Sequence, residues 1–155
     1  MKPDYNQRIK ELELSLPPAP KPAGAYMPIV RVGNLLYVSG HLPIMNDGSL
    51  MTGRLGESLN VEEGKFAARQ VGLTMLASLR EYLGDLNRIE RLVKTMGMVN
   101  CTADFDQQPA VINGFSELMI DIFGEEKGKG ARSAFGAILP LKVAVEIEAI
   151  FSITD

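Results

Sequence analysis

The 155-residue chain has no tryptophan, one cysteine and one histidine. A lone cysteine, Cys101, cannot close an internal disulfide, which excludes the disulfide-stapled class of small secreted domains. Cys101 and His41 are too few soft ligands for a zinc centre, so neither a metal nor another cofactor is expected. Aromatic residues make up only 6%, and without tryptophan nothing suggests a sugar cleft. No apolar run approaches the roughly 18 residues of a membrane span. Charge of neither sign dominates: 16 Lys and Arg stand against 19 Asp and Glu, for a net charge of −3. The pI near 5.3 argues against the broad basic face that a nucleic-acid partner needs. The opening residues, MKPDYNQRIKELELSLPP, are charged throughout and lack an apolar signal core. The expected compartment is the cytoplasm.

What is present suits one globular domain. The chain is 46% hydrophobic and 23% charged, and its length is enough to bury a real core. Residues 4–14 predict a short helix capped by Asp4, with Tyr5, Ile9, Leu12 and Leu16 at helical spacing. A proline-rich connector follows, so residues 1–22 read as an arm laid on a domain of residues 23–155. MPIVRVGNLLYVSG predicts a hairpin about Gly33-Asn34. A long helix is expected from Val61 to Leu83, with Asn60 and Glu63 as a capping box and Ala68, Val71, Met75, Leu79, Tyr82 and Leu86 as its apolar stripe. Residues 89–100 predict a strand, with Met96 and Met98 filling the core. A second long helix is expected over 107–123, capped by Asp106 and ended by Gly124. GEEKGKGA then reads as a mobile loop, and its glycine spacing does not match a phosphate-binding loop. Strands near 132–138 and 142–153 complete the chain. The order is that of an α+β layer: a mostly antiparallel or mixed sheet with two helices on one face. The face left uncovered carries apolar residues, which predicts an oligomer.

The last strand raises the chemical question. In VAVEIEAIFSI, residues 143–153, one face is wholly apolar and the other carries Glu146 and Glu148. Such a carboxylate serves as a general acid or base, or is simply solvated or paired with a cation. Arg132 opens the preceding strand, where a guanidinium can grip a carboxylate or phosphate through two parallel hydrogen bonds. An ordinary surface arginine fits that position equally. His41 has no serine or cysteine partner in sequence and reads as a polar loop or interface residue. Cys101 reads as packing.

Three segments together resemble the YjgF or Rid family, the reactive intermediate deaminases also labelled endoribonuclease L-PSP. They are VGNLLYVSGHLP (32–43), ARS (131–133), and the Leu139-Pro140 pair followed by VEIEAIF (145–151). The resemblance covers nearly the whole chain from Lys21, and the arm is similar to that of a subgroup with an extra N-terminal helix. It implies a chorismate-mutase-like fold and a homotrimer, a trimeric barrel with clefts between subunits. It also implies a small carboxylate ligand, with Arg132 binding that carboxylate and Glu146 as the cleft acid. Tyr26, Ser39, Gly40 and the backbone N–H of Ala134 would complete the binding set. The chain departs from the family pattern in three places. His41 replaces the usual glutamine, Ala103 an asparagine, and the interval from Arg132 to Pro140 is one residue short. The implied activity is hydrolysis of 2-enamine or 2-imino acids to 2-keto acids and ammonia. Carboxylate binding without turnover and endoribonuclease activity are the competing readings.

Overall fold

The computed structural model describes residues 1–155. Its elements run α1 (Tyr5–Glu11), β1 (Ile29–Val32), β2 (Leu35–His41), α2 (Val61–Leu83), β3 (Ile89–Asn100), α3 (Gln108–Lys127), β4 (Ala131–Ala137) and β5 (Val145–Ile153). The five strands form one mixed sheet in the order β1-β2-β5-β3-β4. β5 lies at the centre, antiparallel to both β2 and β3. β4 runs parallel to β3 at the far edge. A parallel pair cannot be joined by a hairpin, and α3 supplies the required crossover. This is the α+β, chorismate-mutase-like architecture that the sequence predicts.

The alternation in β5 sets the two faces. Val145, Ile147, Ala149 and Phe151 are buried, whereas Glu146, Glu148 and Ile150 are half-buried. The buried face meets α2 and α3. α2 begins with the expected capping box: Asn60 Oδ1 accepts from the Glu63 N–H at 2.9 Å, and Glu63 Oε1 accepts from the Asn60 N–H at 3.3 Å. All of the expected stripe is buried except Tyr82, which is 46% exposed. Burial runs unbroken from Gln70 to Leu79, because the sheet covers one side of α2 and α3 another. The two helices meet so closely that a Cβ on Gly114 would stand 2.0 Å from the Lys65 carbonyl oxygen.

Three expectations need correction. α3 runs on to Lys127, and Gln107, not Asp106, stands at its N-terminus without a side-chain cap. Gly124, at φ 87° and ψ 168°, kinks the helix instead of ending it. Half of the expected loop is therefore helical, its last turn closed by the Gly128 N–H donating to the Gly124 carbonyl, with Lys129 and Glu125 paired on its surface. Met96 and Met98 are half-buried on the sheet face away from the helices, not in the core. α1 is tied into the core as well. Tyr5 and Ile9 are buried, and the Tyr5 ring meets Phe123 edge-on at 4.7 Å between centroids.

All the helices lie on one face of the sheet. The other displays Val30, Val32, Tyr37 and Phe135, each more than two-fifths exposed, beside Met96, Met98 and Ile150. Apolar surface on this scale marks an interface. No helix is long and apolar enough to cross a membrane.

Candidate active site

β2 does not pair evenly with β5. Val38 faces Ala149 and His41 faces Ile147, so three steps along β2 match two along β5. The extra residue makes a bulge at Ser39-Gly40, a device that re-aims side chains and breaks pairing. Ser39 Oγ donates to the Met27 carbonyl at 2.6 Å, and the Ser39 N–H donates to the Pro28 carbonyl at 2.9 Å. These bonds hold the Tyr26–Pro28 segment against the bulge. Tyr26, Ser39, Gly40 and His41 line one cleft of about 280 Å³, with Lys21 and Leu141 at its wall. Leu141 and Lys142 both adopt positive φ, at 56° and 57°. That conformation costs a non-glycine residue about 1–2 kcal/mol.

Glu146 rests on this bulge from the open face. A Cβ placed on Gly40 would lie 3.1 Å from Glu146 Cδ and 3.2 Å from its Oε2. Burial pushes the Glu146 carboxyl above its ordinary pKa of 4.5, and the negative charge of Glu148 adds to the effect. Neither carboxylate forms an ion pair within the chain.

Arg132 lies elsewhere. It pairs with Thr95, which also faces the buried Ala149, so its side chain stands on the helix side of the sheet. Glu146 pairs with Met98 and stands on the open side. The two are separated by β3, about 10 Å across two strand spacings, as well as by the sheet itself. The Arg132 guanidinium donates to Asn113 Oδ1 at 2.7 Å and to Ser116 Oγ at 3.2 Å, both on α3. It opens on a separate hollow of about 290 Å³ that Thr95 and Lys129 also line. Ala134, two residues along the edge strand, shares this face. A single chain therefore gathers Tyr26, Ser39, Gly40 and Glu146 at the bulge, and holds Arg132 and Ala134 at the β4 edge.

Three polar partners escaped the sequence reading. Asn113 and Ser116 are one helical turn apart on α3, a spacing that puts both on one face. Ser78 sits within the buried stretch of α2, where a hydroxyl amid apolar neighbours is itself a signal. Its Oγ lies 2.8 Å from His41 Nε2. His41 is buried, not a loop residue, and Cys101 is half-buried beside Gln108. No three His, Cys, Asp or Glu side chains cluster as a metal site would require.

A mixed five-stranded sheet with its helices on one face and an open apolar face defines the chorismate-mutase-like fold. The chain belongs to the YjgF family: the family model described as "YjgF/chorismate mutase-like, putative endoribonuclease" matches residues 6–150. The Trypanosoma cruzi protein TCP17 is 43% identical over 148 residues, spanning 95% of this chain and 92% of that one. A protein of unknown function from Agrobacterium tumefaciens is similar at 40% identity and a TM-score of 0.88, covering 97% of this chain and 92% of its own. A Shewanella oneidensis protein, named an endoribonuclease with the same qualifier as the family, superimposes with a TM-score of 0.92 at 29% identity, over 97% and 99%.

Proposed function

We propose that the protein hydrolyses reactive 2-imino acids, and 2-enamines through their imine tautomers, to 2-keto acids and ammonia. The observation that carries this reading is the state of Glu146. Its carboxyl is half-buried, free of any cation within the chain and raised above its ordinary pKa. Such a group holds a proton more readily than a free carboxylate does, which suits a residue that acts first as base and then as acid. As a water oxygen adds to the imine carbon, its proton passes to the carboxylate. The resulting acid returns that proton to the nitrogen; the hydroxyl proton then passes by way of the same carboxylate to the nitrogen as the C=O bond forms and the C–N bond breaks. One water is consumed and one ammonia released, with no change of oxidation state.

Arg132 is assigned to the substrate carboxylate. Its bonds to Asn113 and Ser116 fix the guanidinium and leave its other N–H donors free. Within one chain it lies apart from Glu146, so the reading requires assembly. In the homotrimer we infer, the open sheet faces are covered and the Arg132 edge of one copy lies against the bulge of the next, where Tyr26, Ser39 and Gly40 line the cleft and Glu146 rests on Gly40. The backbone N–H of Ala134 adds a second donor to the carboxylate. The test is Arg132→Ala, followed by ammonia release from freshly generated imino acid with the oligomeric state checked by light scattering. A loss of about 100-fold in kcat/KM in an intact assembly is expected for a bidentate charged contact. Full activity overturns the proposal.

The anchored arginine also favours a second reading, in which the site holds a small carboxylate without turnover. Binding of pyruvate with no ammonia release from any imino acid would select it. The endoribonuclease description of relatives supplies a third, which the net charge of −3 opposes. RNA cleavage that survives purification and is lost in Arg132→Ala would revive it.

A further inference from the structure

We infer that His41 is a positioning residue: a neutral imidazole clamps the Ser39-Gly40 bulge to α2 and so sets the seat of Glu146. The clamp has two links. His41 Nδ1 lies 2.6 Å from the Ser39 carbonyl oxygen, and Nε2 lies 2.8 Å from Ser78 Oγ. A carbonyl only accepts, so Nδ1 carries the proton. In the neutral ring Nε2 is then bare and accepts from the Ser78 hydroxyl. Both residues are buried, at 4% and 5% exposure, so the Nε2–Ser78 bond is shielded from water. Burial also lowers the histidine pKa below its ordinary 6.5, which keeps the ring neutral.

The consequence reaches the acid through the backbone. Ser39 and Gly40 have no partner on β5, so the ladder fixes them only from the β1 side, through the Ser39 N–H. The imidazole does so from the helix side, anchored to Ser78 on a buried helix. The Glu146 carboxyl then lies against Gly40 from the other side. Ser39 in turn holds Met27 and the Tyr26 segment. One ring therefore sets two walls of the cleft through the backbone. The inference extends the deaminase reading above, but its first readout is independent of that reading.

His41 is the only histidine, so the imidazole nitrogen resonances of labelled protein belong to it alone. Long-range nitrogen–proton spectra at pH 7 are expected to show the Nδ1–H tautomer, and Ser78→Ala is expected to shift Nε2 toward a nitrogen free of hydrogen bonds. An Nε2–H tautomer overturns the clamp whatever any assay gives. In ammonia release, His41→Leu is expected to lose up to about 100-fold in kcat with KM changed less than about threefold, the pattern of a misplaced catalytic group. His41→Asn, which keeps a donor for the Ser39 carbonyl, is expected to recover most of that loss. Equal kcat in the leucine variant and the wild type overturns the clamp. If the wild type releases no ammonia, the deaminase reading fails by itself. Pyruvate affinity then serves as the readout: weakening in His41→Leu and recovery in His41→Asn support the clamp, and unchanged affinity overturns it.

Discussion

The carboxyl of Glu146 lies on the backbone of Gly40, so close that a methyl group there would stand 3.1 Å from Cδ. The contact joins the central strand to the bulge of its neighbour and is possible only because residue 40 has no side chain. The contacted atoms are the far end of a half-exposed side chain, which can swing away. Gly40→Ala is therefore expected to leave the melting temperature nearly unchanged while displacing the acid. The rate of ammonia release should fall about tenfold or more, since misplacement by 1 Å can cost as much as 100-fold. A variant with wild-type rates would separate the acid from the chemistry.

Glu146 is raised by burial first and by the Glu148 charge second. Glu148→Gln removes the repulsion and should move the acid limb of the pH–rate profile down toward 4.5, though not all the way, because burial remains. The raised value has a stability consequence of definite sign. The folded state disfavours the charged form, so Glu146 costs stability above its folded pKa, and the cost disappears below the unfolded value. Glu146→Gln is thus expected to stabilise the protein at pH 7 and to have little effect below pH 4.5. Urea unfolding at the two pH values checks this, and destabilisation at pH 7 would mean that the carboxylate has a cationic partner in the assembly.

What the sequence made legible follows from local chemistry. Strict alternation in residues 145–153 marked β5 and its two faces, and Asn60 with Glu63 marked the start of α2. The site was harder, because it depends on register. The bulge is marked in the sequence only by Gly40 within a strand pattern, which does not fix the register on either side of it. One slipped residue reverses which face a side chain occupies, so Arg132 and Glu146, both plain in the sequence, could not be assigned to opposite faces without coordinates. Tyr82 failed because Arg80, Glu81 and Tyr82 are all exposed in the last turn of α2, and a regular period does not show where burial stops. The partner of His41 lay 37 residues away on α2, beyond any motif.

The contact between α2 and α3 is the least forgiving in the fold. A methyl group on Gly114 would fall 2.0 Å from the Lys65 carbonyl oxygen, which is backbone and cannot rotate away. Gly114→Ala must push the helices apart and open the core lined by Phe115 and Val71. Overpacking of this kind costs about 1–3 kcal/mol or more. Ser116→Ala, two residues on and facing the solvent hollow, should cost far less. Denaturant midpoints of the pair provide the comparison, and equal midpoints would mean that α3 shifts without loss.

His41 adds a pH dependence that is distinct from that of the carboxylates. Its folded pKa lies below 6.5 because burial disfavours the cation. Between the folded and unfolded values the unfolded chain binds the extra proton, so stability rises with pH across that window. Above it the ring is neutral in both states and there is no penalty; below it the folded state must accept a buried charge and the penalty is complete. The carboxylates Asp4, Asp47 and Asp104 are all held below 3.8 by hydrogen bonds, and their contribution is lost only at more acid pH. His41→Gln, which keeps an amide to meet Ser78, removes the titrating group and should flatten the fall in stability just below pH 6.5. The slope below pH 4 should stay as it was. Unfolding free energies measured at half-unit steps from pH 7.5 to 3 test this. Parallel curves for the two proteins would show that the imidazole is not confined as a neutral ring.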